Sequence, residues 1–345
     1  MEMLAAMKIE MALKRNYGDI KHPIQSIYFG GGTPSILTNE ELEELLNCIR
    51  ENYCIDEKAE HTLEVNPDDI TSEKLVKWRQ LGFNRLSIGV QSFFDKDLKV
   101  MNRAHNALEA KDSIDMAQKA GFSNISIDLI YGIPNMTMDE WEQNVKTALT
   151  LNIQHVSAYA LTVEPNTALH YDVAQKKTVM PEEEYVSDQF LFMIDLLKNG
   201  GFTQYEVSNF CKKEYPSMHN RSYWQSITYL GIGPSAHSYN GHSRQWNFPN
   251  NAKYIRAINA GEDFFNIETL DENTRFNEYI MLGLRTSWGI NIKYILNEFD
   301  VDISNDNKEW INKYNKFFIP SSDNIILNSD GLLLADRIAS DLMTV

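Results

Sequence analysis

Gly30, Gly31 and Gly32, with Thr33 and Pro34 behind them, stand between an apolar run, Ile24 to Phe29, and the helical pattern "TNEELEELLNCIREN". Glycine admits positive φ and lets a ligand approach the backbone closely, at an entropic cost to folding. Three in succession, after a strand and before a helix, read as a binding loop at a strand's carboxyl end. Polar residues recur at the same place in four later apolar runs: Glu64 and Asn66, then Gln91 and Ser92, then Asp128 and Tyr131, then Tyr159, Thr162 and Glu164. Glu64 beside a carbonyl-rich glycine turn would accept hydrogen bonds from an ammonium group. Arg103 offers a two-pronged donor to a carboxylate. Gln91 and Asp128 suit the vicinal hydroxyls of a ribose. Singly, each has a plainer reading: a surface charge for Arg103, a capped strand end for Asp128. Together they describe an amino acid joined to a nucleoside.

The elements that must position these residues share one grammar. "IQSIYFGGG", "HTLEVNPDD", "RLSIGVQSF", "NISIDLIYG" and "HVSAYALTVEP" each open on β-branched or apolar residues and close on polar, Gly or Pro residues. Between them lie "TSEKLVKWRQLGF", "NALEAKDSIDMAQKAGF" and "TMDEWEQNVKTALTLNI". The first two carry a capping residue, Thr71 or Asn106, and a closing Gly82 or Gly121. Such alternation implies right-handed βαβ units and a parallel sheet. With helices covering one face, the strand ends are the free surface, and in a barrel or partial barrel they converge on one cavity. S-adenosylmethionine is a molecule that such a set of groups would hold.

Composition narrows the partners. At 345 residues and 43% hydrophobic, the chain can bury a sizeable core. Its formal net charge of -16 argues against non-specific nucleic-acid binding. No apolar run reaches the roughly 18 residues that span a bilayer. The opening "MEMLAAMKIEMALKRNYGD" reads as an amphipathic helix rather than a secretion signal, so a cytoplasmic protein is expected. Cys48, Cys54 and Cys211 form no disulfide framework and match no common zinc or iron–sulfur spacing; they read as free structural thiols. No metal-ligand spacing and no Ser-His-Asp set stands out among the strand-end residues.

"YFGGGTPS", "LEVNPDDIT", "NRLSIGVQSF", "MNRAH" and "ISIDLIYGIP", in this order and spacing, resemble radical S-adenosylmethionine proteins of the oxygen-independent coproporphyrinogen III oxidase family. The resemblance runs from about Ile24 to the end of the chain. It implies an α/β fold: a partial (β/α)6, TIM-like barrel lacking its first strand over residues 1–200, a strand-rich extension over 201–262, and a small, mainly helical C-terminal domain over 263–345. Carried over motif by motif, the family's S-adenosylmethionine contacts fall on Gly31, Gly32, Thr33, Glu64, Gln91, Arg103, Asp128 and Thr162. Relatives of the oxidase proper bind a second S-adenosylmethionine, which some of these positions could serve instead.

"LTVEPNTAL" and "HNRSYW" are similar to the haem-chaperone branch, whose H-N-x-x-Y-W motif is associated with haem binding. The resemblance implies a haem chaperone that delivers haem to a haem-accepting respiratory protein, with at most peripheral membrane contact through that partner. His219 is then the residue proposed as haem iron ligand, with Tyr223 and Trp224 able to stack on the porphyrin. The plainer reading is a structural histidine among aromatics, and His237 is a weaker rival ligand. Two alternatives stand beside the chaperone: the oxidase, which decarboxylates two propionates, and a non-catalytic S-adenosylmethionine-binding protein. Further on, "YLGIGPSAHSY" reads as a Gly-rich strand and "IETLDENTR" as a connecting region. "NIILNSDGLLLADRIASDLM" reads as a hairpin on an Asp-Gly turn, leading into a helix.

One departure from the family matters. Its radical chemistry uses a [4Fe–4S] cluster held by three cysteines spaced C-x-x-x-C-x-x-C, and no such spacing occurs in this sequence. The expectation is an N-terminally shortened form, with the cluster confined to the full-length form; the alternative is a cluster-free relative that binds ligand without radical chemistry. On either view the chain as given neither holds the cluster nor cleaves S-adenosylmethionine, and one edge of the parallel sheet is left unpaired.

Overall fold

A computed structural model describes residues 2–19 and 22–343. The five apolar runs form five parallel strands: β1 (Ile24–Phe29), β2 (Ile55–Val65), β3 (Arg85–Gln91), β4 (Ile125–Tyr131) and β5 (His155–Ala160). Two short antiparallel strands, β6 (Thr203–Glu206) and β7 (Asn209–Cys211), extend the sheet in the order β1-β2-β3-β4-β5-β7-β6. This curled, parallel-dominated sheet is the partial barrel expected, with β1 at one edge.

Helix α1 (Glu2–Leu13) precedes β1, and between the strands lie α2 (Asn39–Asn52), α3 (Ser72–Leu81), α4 (Asp95–Val100), α5 (Ala107–Lys119), α6 (Met138–Thr150), α7 (Ala168–Ala174) and α8 (Glu183–Asn199). Their starts are written locally. Thr38, Asn106 and Thr137 form capping boxes with Glu41, Glu109 and Glu140. Thr71 caps α3, and Gly82 ends it in the left-handed region at φ 103. Each cap stabilises its helix by about 1 kcal/mol. Trp78, Ile114, Trp141 and Met193 from these helices are buried against Leu86, Ile88, Ile125 and Ile127 of the sheet. No helix among the described residues is long and apolar enough to cross a membrane.

Strand alternation gives the other face of the sheet a different chemistry. Ser26 pairs with Glu60, Thr62 with Arg85, Glu64 with Ser87, Ser126 with His155 and Asp128 with Ser157. The inner wall of the half-barrel is therefore polar, while its outer wall is apolar.

Beyond β7, α9 (Met218–Trp224) carries the HNRSYW motif and packs on β1. An antiparallel sheet of β8 (His237–Tyr239), β9 (Ser243–Asn247) and β10 (Phe265–Thr269) follows, with α10 (Asn251–Ala260) between its last two strands. Fully buried Glu10 of α1 ties the amino-terminal helix to this sheet: it accepts from Gly233 N (2.8 Å), Asn247 Nδ2 (2.7 Å) and the Tyr254 hydroxyl. "YLGIGPSAHSY" is a strand only in its last three residues. Gly233 turns at φ 101, and a Cβ at Gly231 would lie 2.2 Å from the His237 carbonyl oxygen, so the glycines build a tight turn.

The C-terminal unit contains α11 (Glu272–Leu284) and a small sheet of β11 (Ile290–Asn291), β12 (Phe318–Ile319) and β13 (Asn324–Leu327) in the order β11-β13-β12. It has its own apolar cluster, including Phe276, Ile280, Trp310 and Ile338. The Asp330-Gly331 pair is not a hairpin turn. It lies in the helix Ser329–Leu333, where the Asn328 side chain accepts the Gly331 N–H at 2.8 Å; the hairpin is formed earlier, by β12 and β13. A helix cap two residues upstream outweighs the local dipeptide signal.

Candidate functional site

The glycine turn and Glu64 form one hydrogen-bonded unit. Tyr28 donates its hydroxyl to Glu64 Oε1 at 2.6 Å, and Gly31 N donates to Oε2 at 3.0 Å. Gly30 is required by close approach: a Cβ there would lie 2.4 Å from Tyr28 Cε1 and 2.8 Å from Glu64 Oε1. Gly31 and Gly32 turn at φ 75 and 69, and a Cβ on either would meet nothing within 4 Å, so this loop presents open backbone.

Gly32, Thr33, Glu64, Gln91, Arg103 and Asp128 line one cavity of about 150 Å³, to whose wall Asn66, Ser87 and Gly89 also contribute. Gln91 is buried at φ 64, where the β3–β4 ladder shifts register. Arg103 is exposed on the loop between α4 and α5; Asn102 at φ 52 turns that loop, and His105 anchors it through Nε2 to the Val90 carbonyl at 3.0 Å. Gly31 joins the cavity through Glu64 rather than as a wall residue. Thr162 lies exposed on the segment after β5, away from the cavity lining.

Asp128 is partly accessible from this cavity, yet burial lifts its carboxyl to a pKa of about 7, and the Glu64 carboxylate adds to the rise. A hydrogen bond with Ser157 and the charges of Arg85 and Arg103 oppose it. At neutral pH Asp128 therefore both donates and accepts, which suits a hydroxyl partner.

The other strand-end residues separate. Buried Ser92 donates to Asp97 Oδ2 at 2.7 Å. Tyr131 has the parity of Leu129 and turns into the apolar core against Trp141 and Phe190. Glu164 is exposed, its carbonyl accepting from Thr167. Tyr159 lines a second, larger cavity.

That second cavity, about 540 Å³, is walled by Tyr159, Asn209, Asn220, Tyr223 and Trp224 on the barrel side and by Leu332, Leu333, Arg285 and Asp336 of the C-terminal unit. His219, on α9, is not itself a lining residue; its neighbours Asn220 and Tyr223 are. Its ring stacks on Tyr28 at 4.3 Å and 15° and meets Tyr223 edge-on at 4.8 Å. Nδ1 is 3.5 Å from Ser26 Oγ, and Nε2 makes no hydrogen bond to the described residues. Burial, and then the positive charge of Arg85, push the imidazole down to about 4, so it is neutral at pH 7. Glu60 holds the start of α9, accepting from Ser217 Oγ (3.4 Å), Met218 N (3.2 Å) and His219 N (3.3 Å). His237 is exposed on β8 and stacks on Trp246.

Sequence reading passed over Tyr28, Glu60, Arg85 and Ser87. Their signal was available: each falls two, four or six residues from a strand-end residue and hence on the same face. Arg285, Asp336 and Glu206 carry no such signal.

The cysteines do not suit a [4Fe–4S] cluster. Cys48 is buried on α2 with Sγ 3.8 Å from the Lys8 carbonyl oxygen, Cys54 is exposed ahead of β2, and Cys211 pairs with His155 in the β5–β7 ladder. None lines either cavity, and no group of three His, Cys, Asp or Glu residues gathers among the described residues.

Comparison with known proteins gives concordant results. The radical SAM superfamily model matches residues 8–148. A heme chaperone, HemW of Lactococcus lactis, is 35% identical over 276 residues, covering 80% of this chain and 73% of that protein. HemW of Bacillus subtilis is 35% identical over 272 residues, covering 78% and 72%. Among solved structures, coproporphyrinogen III oxidase (HemN) from Escherichia coli superposes with a TM-score of 0.84 over 99% of this chain and 82% of that one, at 22% identity. At that identity the likeness establishes the fold.

Proposed function

We propose, from the premise that the chain belongs to the radical S-adenosylmethionine superfamily and within it to the HemN-like haem-chaperone branch, that it is a haem chaperone holding haem against α9 and passing it to a haem-accepting respiratory protein. The observation that carries this reading is the neutral, tyrosine-stacked His219 beside a 540 Å³ cavity whose wall includes Tyr223 and Trp224. An imidazole kept unprotonated at pH 7 has its lone pair free for iron. Ser26 lies against Nδ1, which leaves Nε2 as the ligating atom. The cavity falls within the roughly 300–1,000 Å³ of a small-molecule site, and its aromatic walls suit a flat macrocycle.

The smaller cleft is read as the S-adenosylmethionine site. Its donors and acceptors match that molecule: Glu64 with the turn Gly31, Gly32 and Thr33 for the ammonium, Arg103 for the carboxylate, and Gln91 and Asp128 for the ribose hydroxyls. Thr162 is a further contact proposed from the segment after β5. S-adenosylmethionine supplies a sulfonium-linked nucleoside; the residues of this chain bind and orient it, and no bond-breaking step is assigned to them. A partial barrel over 1–200, an extension over 201–262 that presents α9, and a C-terminal unit over 263–345 are the proposed domains. The oxidase reading has only likeness of fold behind it, and a plain S-adenosylmethionine binder would leave the larger cavity unused.

Titration with hemin tests the chaperone reading. The wild-type chain is expected to shift and sharpen the Soret band, and His219→Ala to lose that change while keeping its circular dichroism. An identical Soret band in the folded variant would remove His219 as ligand.

A further inference from the structure

We infer that Arg285 is a carboxylate clamp for the propionates of a porphyrin in the larger cavity, held ready by Asp336; the inference rests on the haem reading of that cavity. Among the residues lining the cavity Arg285 is the one cation, in a chain whose net charge is -16. Glu206 and Asp336 line the same space, so a dianionic ligand entering it meets two carboxyl groups and a single compensating charge.

The guanidinium is already shaped for this task. Arg285 Nε donates to Asp336 Oδ1 at 2.8 Å, and a terminal guanidinium nitrogen donates to the same oxygen. A planar fork that receives one carboxylate receives another in the same geometry. The backbone beneath it is locked while the side chain is not. Val207 N donates to the Arg285 carbonyl at 3.0 Å, Ser287 N donates to the Tyr205 carbonyl at 3.0 Å, and Glu206 bridges Thr286. Arg285 therefore projects from a fixed point beside the turn between β6 and β7.

Its present partner is readily displaced. The Asp336 side chain is 76% exposed, and an exposed ion pair contributes about 0–1 kcal/mol. A propionate of a macrocycle already buried against Tyr223, Trp224 and Leu332 takes the same fork at higher effective concentration. Asp336 then serves as a resident counter-ion, which keeps the fork oriented while the cavity is empty and yields it on loading.

The test uses metal-free mesoporphyrin IX and its dimethyl ester, followed by fluorescence quenching on the full chain, so iron ligation does not enter. The wild type is expected to prefer the diacid by about tenfold or more. Arg285→Ala should bring the two ligands within about twofold of each other, Arg285→Lys should keep part of the preference, and Asp336→Asn should tighten diacid binding without changing the ester. Preference intact in Arg285→Ala, or equal weakening of diacid and ester, overturns the clamp. A retained diacid preference with no His219-dependent Soret change would sink the haem reading and leave the clamp standing. Binding of neither porphyrin would sink both.

Discussion

Replacing Asp128 with Asn probes the electrostatics of the smaller cleft. Burial and the neighbouring Glu64 carboxylate lift the Asp128 pKa from 3.8 to about 7. A carboxyl whose pKa is higher in the folded than in the unfolded chain binds its proton more tightly when folded. Its contribution to stability is fully present below pH 3.8 and is lost as the pH rises through about 7. At about 1.36 kcal/mol per tenfold change in affinity, a gap of roughly three decades corresponds to about 4 kcal/mol against folding at high pH. Solvent reaching the carboxylate through the open cleft reduces this to roughly 1–3 kcal/mol.

Asn is neutral throughout. Asp128→Asn is therefore expected to be more stable than wild type by roughly 1–3 kcal/mol at pH 8.5 and by a little under half of that at pH 5, where the unfolded carboxyl is already ionised and the folded one is not; only below pH 3.8 does the difference shrink to the altered hydrogen bond to Ser157, about 1 kcal/mol or less. Urea unfolding of both chains at pH 5, 6, 7 and 8.5 reads this difference directly. A stability gap that stays constant across the series, or that favours the wild type increasingly as the pH rises, would refute the assignment of a desolvated carboxyl at this position.

Three further substitutions test how the site is held. Glu60→Gln removes the charge facing buried Arg85 and weakens the acceptor for Ser217, Met218 and His219; a loss of about 2–4 kcal/mol is expected, with faster amide exchange at Met218 and His219, and unchanged exchange there would exclude a role in fixing α9. Gly30→Ala forces Tyr28 and Glu64 away from the new methyl and should cost about 2–3 kcal/mol, whereas Gly31→Ala meets no neighbour and should cost about 1 kcal/mol through its left-handed φ; equal costs in thermal melts would count against the close-approach explanation.

The strands and helices of the barrel were legible because their signals are local. Apolar runs of strand length and Thr or Asn caps sit within a few residues of the elements they specify, and Thr71 and Asn106 both cap the helices read behind them. The gathering of Glu64, Gln91, Arg103 and Asp128 was legible for a topological reason: parallel strands in sequence order bring their carboxyl ends to one rim. Parity along a strand explains what that reading blurred. Tyr131 lies three residues from Asp128 and so faces the helices, not the cleft. The larger cavity was not legible, since Tyr159, Tyr223, Arg285 and Asp336 come from elements far apart in sequence whose docking no local pattern encodes. Asp330-Gly331 shows the opposite error, in which a strong dipeptide signal was outranked by the Asn328 cap.

The smaller cleft and α9 lean on one polar wall, and that has an electrostatic consequence. Tyr28 gives its hydroxyl to Glu64 of the smaller cleft and its ring face to His219 of α9. Arg85, 2% exposed within the same wall, lowers the pKa of His219 and also that of Asp128. Charges interact more strongly across such a buried, low-dielectric wall than across solvent. A cation seated against Glu64 and Asp128 therefore favours the ionised form of Asp128, and the two charges largely cancel at the distance of His219. The tyrosine that contacts His219 is meanwhile held by the very carboxylate that the cation engages. Tyr28 and Arg85 thus tie the orientation and basicity of the His219 imidazole to the wall that carries Glu64 and Asp128.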